Sequence, residues 1–146
     1  RAPVRRWCLD DGGWTVLVTA PTEQQHATAL LALLADIGVT VYEVDKVAAM
    51  QNPPARYVEF ELEWRFGSLL RSTAQRSGDG YRFTTYGIAK TVGDVRESLR
   101  RVAAAVDGAR VVIGDYTSTP IQRESSDSPR QEGSHFVGFS TWTYSV

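Results

Sequence analysis

The clearest hydrophobic pattern lies at residues 57–66, where Val58, Phe60, Leu62, Trp64 and Phe66 alternate with Glu59, Glu61, Glu63 and Arg65. A period of two belongs to a strand with one buried and one solvated face, and such one-sided burial favours an antiparallel sheet. Residues 81–88 read as a second strand. The polar stretch 67–80 between them ends in Ser77-Gly78-Asp79-Gly80, which predicts a long hairpin with a projecting tip. Residues 39–44, 111–113, 116–124 and 134–146 supply further strands. Residues 125–133, SSDSPRQEG, are too polar and broken for core and predict a loop.

Two segments carry the helical period instead. Thr22 and Gln25 have capping-box spacing and open the first, with Ala27, Leu30, Leu31, Leu34 and Ile37 as its apolar stripe and Gly38 as a left-handed stop. The second, residues 92–106, turns Val92, Val95, Leu99, Val102 and Val106 inward. Thr91 and Asp94 form its capping box, Glu97 faces Arg100 and Arg101, and Asp107-Gly108 closes it. Between the first helix and the alternating strand, Asn52-Pro53-Pro54 stops residues 47–55 from continuing as a helix. Both helices need the same sheet face. The expected fold is α+β, a two-layer sandwich of a mainly antiparallel sheet with two helices packed on one face. Residues 1–21 form an N-terminal arm containing a possible short strand, and residues 22–146 form a single domain. The Asp11-Gly12-Gly13 turn chemistry lets the arm fold back as a hairpin or stay mobile until a partner orders it.

Composition narrows the function. At 146 residues and 42% hydrophobic content the chain can bury its own core. A net charge of −1 gives no general attraction to nucleic acid, and the longest apolar run, residues 29–35, is far too short to span a membrane. The single cysteine, Cys8, excludes internal disulfides and cysteine-based zinc sites. His26 and His135 are the only histidines and read as surface or boundary residues. No nucleophile elbow or cysteine-protease signature is present. The stretch from Tyr86 to Gly108 has a strand, a glycine turn and a helix, but Lys90-Thr91 precedes Gly93, so the phosphate-loop order fails and helix capping explains it. No catalytic, metal or cofactor site is expected, and the protein reads as a non-enzyme. Glu59, Glu61 and Glu63 form a solvated acidic stripe.

The NPPARYVEFELEW segment, the strand ending in an aromatic and glycine, the Thr-capped DVRESLRRV helix, its -DG- stop, the polar loop and the aromatic-rich final strand together resemble the tail terminator, or tail-completion, proteins of long-tailed bacteriophages. The resemblance runs over residues 22–146. The arm is longer than that family leads one to expect.

The resemblance implies a structural virion protein at the tail–neck junction, assembled in the host cytoplasm. Such a protein forms a homo-oligomeric ring, expected as a hexamer, that caps the tail tube, ends tube polymerisation and joins the tail to the head connector. Its partners would be the tail tube protein and the head–tail connector protein, with DNA only as transiting cargo and no membrane. Arg71, Arg76, Asp79, Arg123, Asp127, Arg130 and Glu132 are then the candidate ring or partner interface. Glu59, Glu61 and Glu63 are candidate lumen-facing acids that let DNA pass without adhering. Another neck or tail-tube ring protein satisfies the same implications. A reading from a different class is a small α+β ligand-binding domain or enzyme, with Trp64, Trp142 and Tyr144 enclosing a pocket; core aromatics are the plainer account of those residues.

Overall fold

The computed structural model describes residues 5–10, 13–18, 21–44, 46–47, 50, 53–65 and 80–145, and of residues 5–10, 13–18, 64 and 65 it describes the backbone. In chain order these are β1 (Arg5–Asp10), β2 (Gly13–Val18), α1 (Glu23–Leu33), β3 (Val41–Glu43), β4 (Tyr57–Arg65), β5 (Gly80–Ala89), α2 (Val92–Val106), β6 (Val112–Ile113), β7 (Tyr116–Thr117), β8 (Gln122–Glu132) and β9 (His135–Ser145). The main sheet has the order β3-β4-β5-β9-β8, while β1-β2 and β6-β7 are separate two-stranded sheets. All the pairings are antiparallel except that of β3 with β4. This is the expected α+β class with a mainly antiparallel sheet.

The alternation in β4 does what its period requires. Val58 and Phe60 join Phe83 of β5, Trp142 and Tyr144 of β9, Ala27, Leu30 and Leu34 of the first helix and its stop, and Val102 and Val106 of α2 in one core. Both helices therefore cover one face of the sheet. Trp142 is fully buried and Tyr144 nearly so, which makes them packing residues of this core.

α2 approaches the sheet most closely at a glycine pair. Gly87 of β5 stands opposite Gly138 of β9. A Cβ on Gly87 would sit 3.2 Å from Leu99 Cγ and 3.3 Å from the Val95 carbonyl oxygen, and one on Gly138 would sit 3.1 Å from Val95 Cγ1. The two missing side chains form the seat of the helix.

The helix ends follow the sequence with one difference. Thr22 Oγ1 accepts from Gln25 N while Thr22 N donates to Gln25 Oε1, a complete capping box. At α2 Thr91 accepts from Asp94 N, but the reciprocal half is absent among the described bonds; the Asp94 carboxylate faces Arg56 at 3.9 Å instead. A carboxylate is attracted to a nearby cation and to the positive end of the helix dipole at once, so it need not turn back to the cap. Arg100 and Arg101 both reach Glu97 and hold its carboxyl down at about 2. Gly38 and Gly108 have the left-handed φ expected of helix stops, 82° and 77°.

Three expectations are corrected. Residues 125–133 are not a loop: most of them belong to β8, an edge strand whose residues are exposed or half-buried throughout. Its backbone is paired by β9 regardless of side-chain polarity, and it bends through two register shifts, Arg123/Ser125 and Asp127/Arg130. Residues 116–124 correspondingly divide between β7 and the start of β8. His26 is not a surface histidine but is 2% exposed. Its ring stacks on Tyr81 with centroids 4.0 Å apart, and Nδ1 lies 2.8 Å from the Tyr144 hydroxyl. The arm folds back as the β1–β2 hairpin, the first of its two expected states. The projecting tip, residues 66–79, lies outside the described residues, although the two strands that lead into it pair in register from Tyr57↔Ile88 to Arg65↔Gly80.

Two stability predictions follow from these contacts. Gly93 lies in α2 with nothing within 4 Å of its Cβ position, so Gly93→Ala should stabilise by up to ~1 kcal/mol, whereas Gly138→Ala should destabilise; urea denaturation of both variants checks this. Burial lowers the His26 pKa from 6.5. With the folded value below the unfolded one, the contribution of the neutral ring is present above the unfolded pKa and is lost as pH falls through the folded value. His26→Gln should therefore flatten the fall in unfolding free energy as pH is lowered below 6.5, measured by urea titration.

Candidate functional site

The face of the sheet opposite the helices carries the other members of each alternation, most of them half-buried or exposed and Ile88 and Thr141 buried. From β4 come Tyr57, Glu59, Glu61 and Glu63, from β5 Arg82, Thr84, Tyr86 and Ile88, and from β9 Val137, Phe139 and Thr141. Two open depressions lie side by side on it. One, of about 500 Å³, is lined by Glu61, Glu63, Arg82, Thr84, Glu124 and Thr141 among others. The other, of about 530 Å³, is lined by Tyr57, Glu59, Tyr86, Ile88, Val137, Phe139, Arg130 and Glu132 with His135.

The two depressions differ in chemistry. In the first, Arg82 organises the charge: its Nε lies 2.8 Å from Glu124 Oε2, its Nη2 donates to Glu124 Oε1 at 2.9 Å, and its Nη1 lies 3.6 Å from Glu63. Arg82 thus stands between acids from β4 and β8, and the acidic stripe is partly neutralised where it meets β5. The second depression is aromatic. Tyr86 and Phe139 rings lie 6.1 Å apart, and Tyr42 meets Tyr57 edge-on at 6.1 Å. The Tyr86 hydroxyl donates to Glu61 Oε2 at 3.2 Å. Burial, then the charge and hydrogen bond of Glu61 and the charge of Glu59, push its pKa up, so it remains a neutral donor.

The candidate residues divide between two surfaces. Glu59, Glu61 and Glu63 stand on the open face as the alternation requires, and Arg130 and Glu132 join Glu59 at the aromatic depression. Arg123 and Asp127 turn the other way, beside α2 with Arg96 and Arg100. The Arg123 guanidinium lies 5.0 Å over the Trp142 ring, and Asp127 is ion-paired with Arg130. Arg71, Arg76 and Asp79 lie outside the described residues. Arg82, Tyr86, Glu124 and Phe139 were not singled out from the sequence, although the YRFTTY alternation already placed Arg82 and Tyr86 on one strand face.

This arrangement offers ion pairing, hydrogen bonding and aromatic contact over a broad, shallow area. Among the described residues no three His, Cys, Asp or Glu side chains gather as metal ligands, and no helix is long and apolar enough to cross a membrane.

No family model matches the chain, and no curated protein matches it. Among solved structures, it is similar to a chain of the virion of a native gene transfer agent (GTA) particle. The TM-score is 0.55 at 18% identity, covering 84% of this chain and 89% of that one. The likeness is one of fold.

The Arg82 cluster predicts a salt effect. Its side chains are 29–60% exposed, so Arg82→Gln should cost no more than ~1 kcal/mol, and that cost should shrink in high salt; urea titrations at two ionic strengths test both statements.

Proposed function

We propose that this chain is a structural protein of a virion, and that it forms a ring which caps the tail tube, ends tube polymerisation and joins the tail to the head connector. The observation that carries the reading is the fold shared, over most of both chains, with a chain from the virion of a gene transfer agent particle. The order of elements and the NPPARYVEFELEW and DVRESLRRV segments, through their resemblance to tail terminators, supply the finer role. On this reading the protein is not an enzyme, and its working parts are surfaces.

The chemistry of those surfaces fits the role. A broad charged and aromatic sheet face is suited to contact with protein rather than to enclosing a small ligand. Mixed charges such as the Glu63, Arg82 and Glu124 group suit the fixing of register between subunits. Closed rings follow when each subunit offers one patch to a different patch on its neighbour and the rotation closes. A place elsewhere in the virion neck or in the tail tube would use the same properties, and one experiment separates the readings.

The chain should be added to its particle's tube protein during polymerisation, with tube lengths and ends recorded by negative-stain imaging. The expected result is shorter tubes with a sixfold ring of this chain at one end. Incorporation along the whole tube would identify a tube protein instead, and a chain that stays monomeric and leaves tube length unchanged would refute the ring reading.

A further inference from the structure

The main sheet carries opposite charge at its two edges. At the β8 edge a groove of about 330 Å³ runs between that strand and α2, lined by Arg96 and Arg100 of the helix and Arg123 of the strand, with Asp127 and Pro129 beside them. Arg96 is exposed and has no ion-pair partner among the described residues. Of the carboxylates nearby, Glu97 is shared by Arg100 and Arg101, and Asp127 is held by Arg130. Guanidinium is left in excess.

At the β3–β4 edge the sign reverses. A depression of about 520 Å³ is lined there by Glu23 at the start of α1, Glu43 of β3 and Glu61 of β4. Among the described residues the one cation ion-paired to these acids is Lys46, 3.8 Å from Glu43. The strand order β3-β4-β5-β9-β8 sets the two sites four strand spacings apart, ~19 Å, and no side chain spans that distance. The two charges cannot neutralise each other within one chain.

Two features of the basic edge decide what it can receive. β8 bends through two register shifts and carries Pro129, which has no N–H, so a neighbour meets this edge through side chains rather than by adding a strand. The carboxylates of Glu97 and Asp127 lie among the arginines and repel the continuous charge of a phosphate backbone, whereas separate carboxylates can each settle on one guanidinium fork. The acidic depression offers such carboxylates on α1, β3 and β4.

We propose that the arginine groove between α2 and β8 of one copy receives the Glu23, Glu43 and Glu61 edge of a second copy, in a head-to-tail contact. A contact between two different patches passes from copy to copy and closes when the rotation allows. The charges fix the register of neighbours, and the contact weakens as salt screens them. This deepens the ring reading, on which it rests for the arrangement of the copies, by naming the two surfaces that join one subunit to the next.

Charge reversal tests the pairing. One chain carries Arg96→Glu and Arg100→Glu, the other Glu23→Lys and Glu61→Lys, all at exposed positions. Each is added to polymerising tube protein and rings are counted at the tube ends by negative-stain imaging, with thermal melting of the free chain as the check on folding. Either variant alone should lose the rings, because its two edges then carry like charge. The two mixed should regain them by alternating around the ring, and so should one chain carrying all four changes. If the paired changes lower the melting temperature, Arg96→Glu and Glu23→Lys alone decide in the same way. Rings formed as readily by either variant alone would overturn this contact and leave the ring reading standing. A loss in the arginine variant that neither the mixture nor the fourfold change repairs would overturn it in favour of another partner; binding of a short DNA duplex by the unchanged chain, lost in that variant, would identify the partner as nucleic acid. No rings from the unchanged protein would remove the ring reading and this contact with it.

Discussion

The close seating of α2 on the Gly87–Gly138 pair is the contact on which the rest of the layout depends. With no side chain on either strand at that point, Val95 and Leu99 reach the sheet backbone, and the helix is held to one face along β5 and β9. That seating lets Val102 and Val106 meet Phe83, Trp142 and the residues of α1 in a single core. It also commits the whole apolar content of both helices to one side. The opposite face is left with aromatic, aliphatic, hydroxyl and charged residues and, among the described residues, no helix to cover it.

Much of this was legible in the sequence because it arises from local rules. The caps at Thr22 and Thr91, the stops at Gly38 and Gly108 and the alternation of β4 are short-range devices, and each appears where its residues stand. What escaped depends on partners distant in the chain. β8 has no apolar alternation because an edge strand exposed on both sides needs none; its pairing is a property of the β9 backbone. His26 reads as a surface residue because the stacking partners that bury it, Tyr81 and Tyr144, come from β5 and β9. The open face was half legible. Periodicity places Glu59, Glu61 and Glu63 together, but the approach of Glu124 to Arg82 depends on how β8 registers with its neighbours, and the bulges that turn Asp127 toward α2 have no local signature.

The open face poses a problem in burial. A sheet covered on one side is stable when its other side is polar, and the Arg82 end of this face meets that condition through its ion pairs. The Tyr57, Tyr86 and Phe139 end meets it less well, since its rings line an open depression. The proposed ring role would need no reacting group, only surfaces that neighbouring subunits can cover.

The two edges of the main sheet are unequal, with consequences for how copies can add to one another. β8 at one edge is bent by two register shifts and carries Pro129, which has no N–H to offer a further strand. At the other edge β3 pairs only with Val58–Phe60, and among the described residues no strand lies beside the remainder of β4 on that side. A sheet with one receptive edge and one blunt edge can accept a strand once but cannot pass the favour on, so edge-to-edge growth ends at a pair. The molecule can thus carry a long, aromatic-rich sheet without templating a fibre.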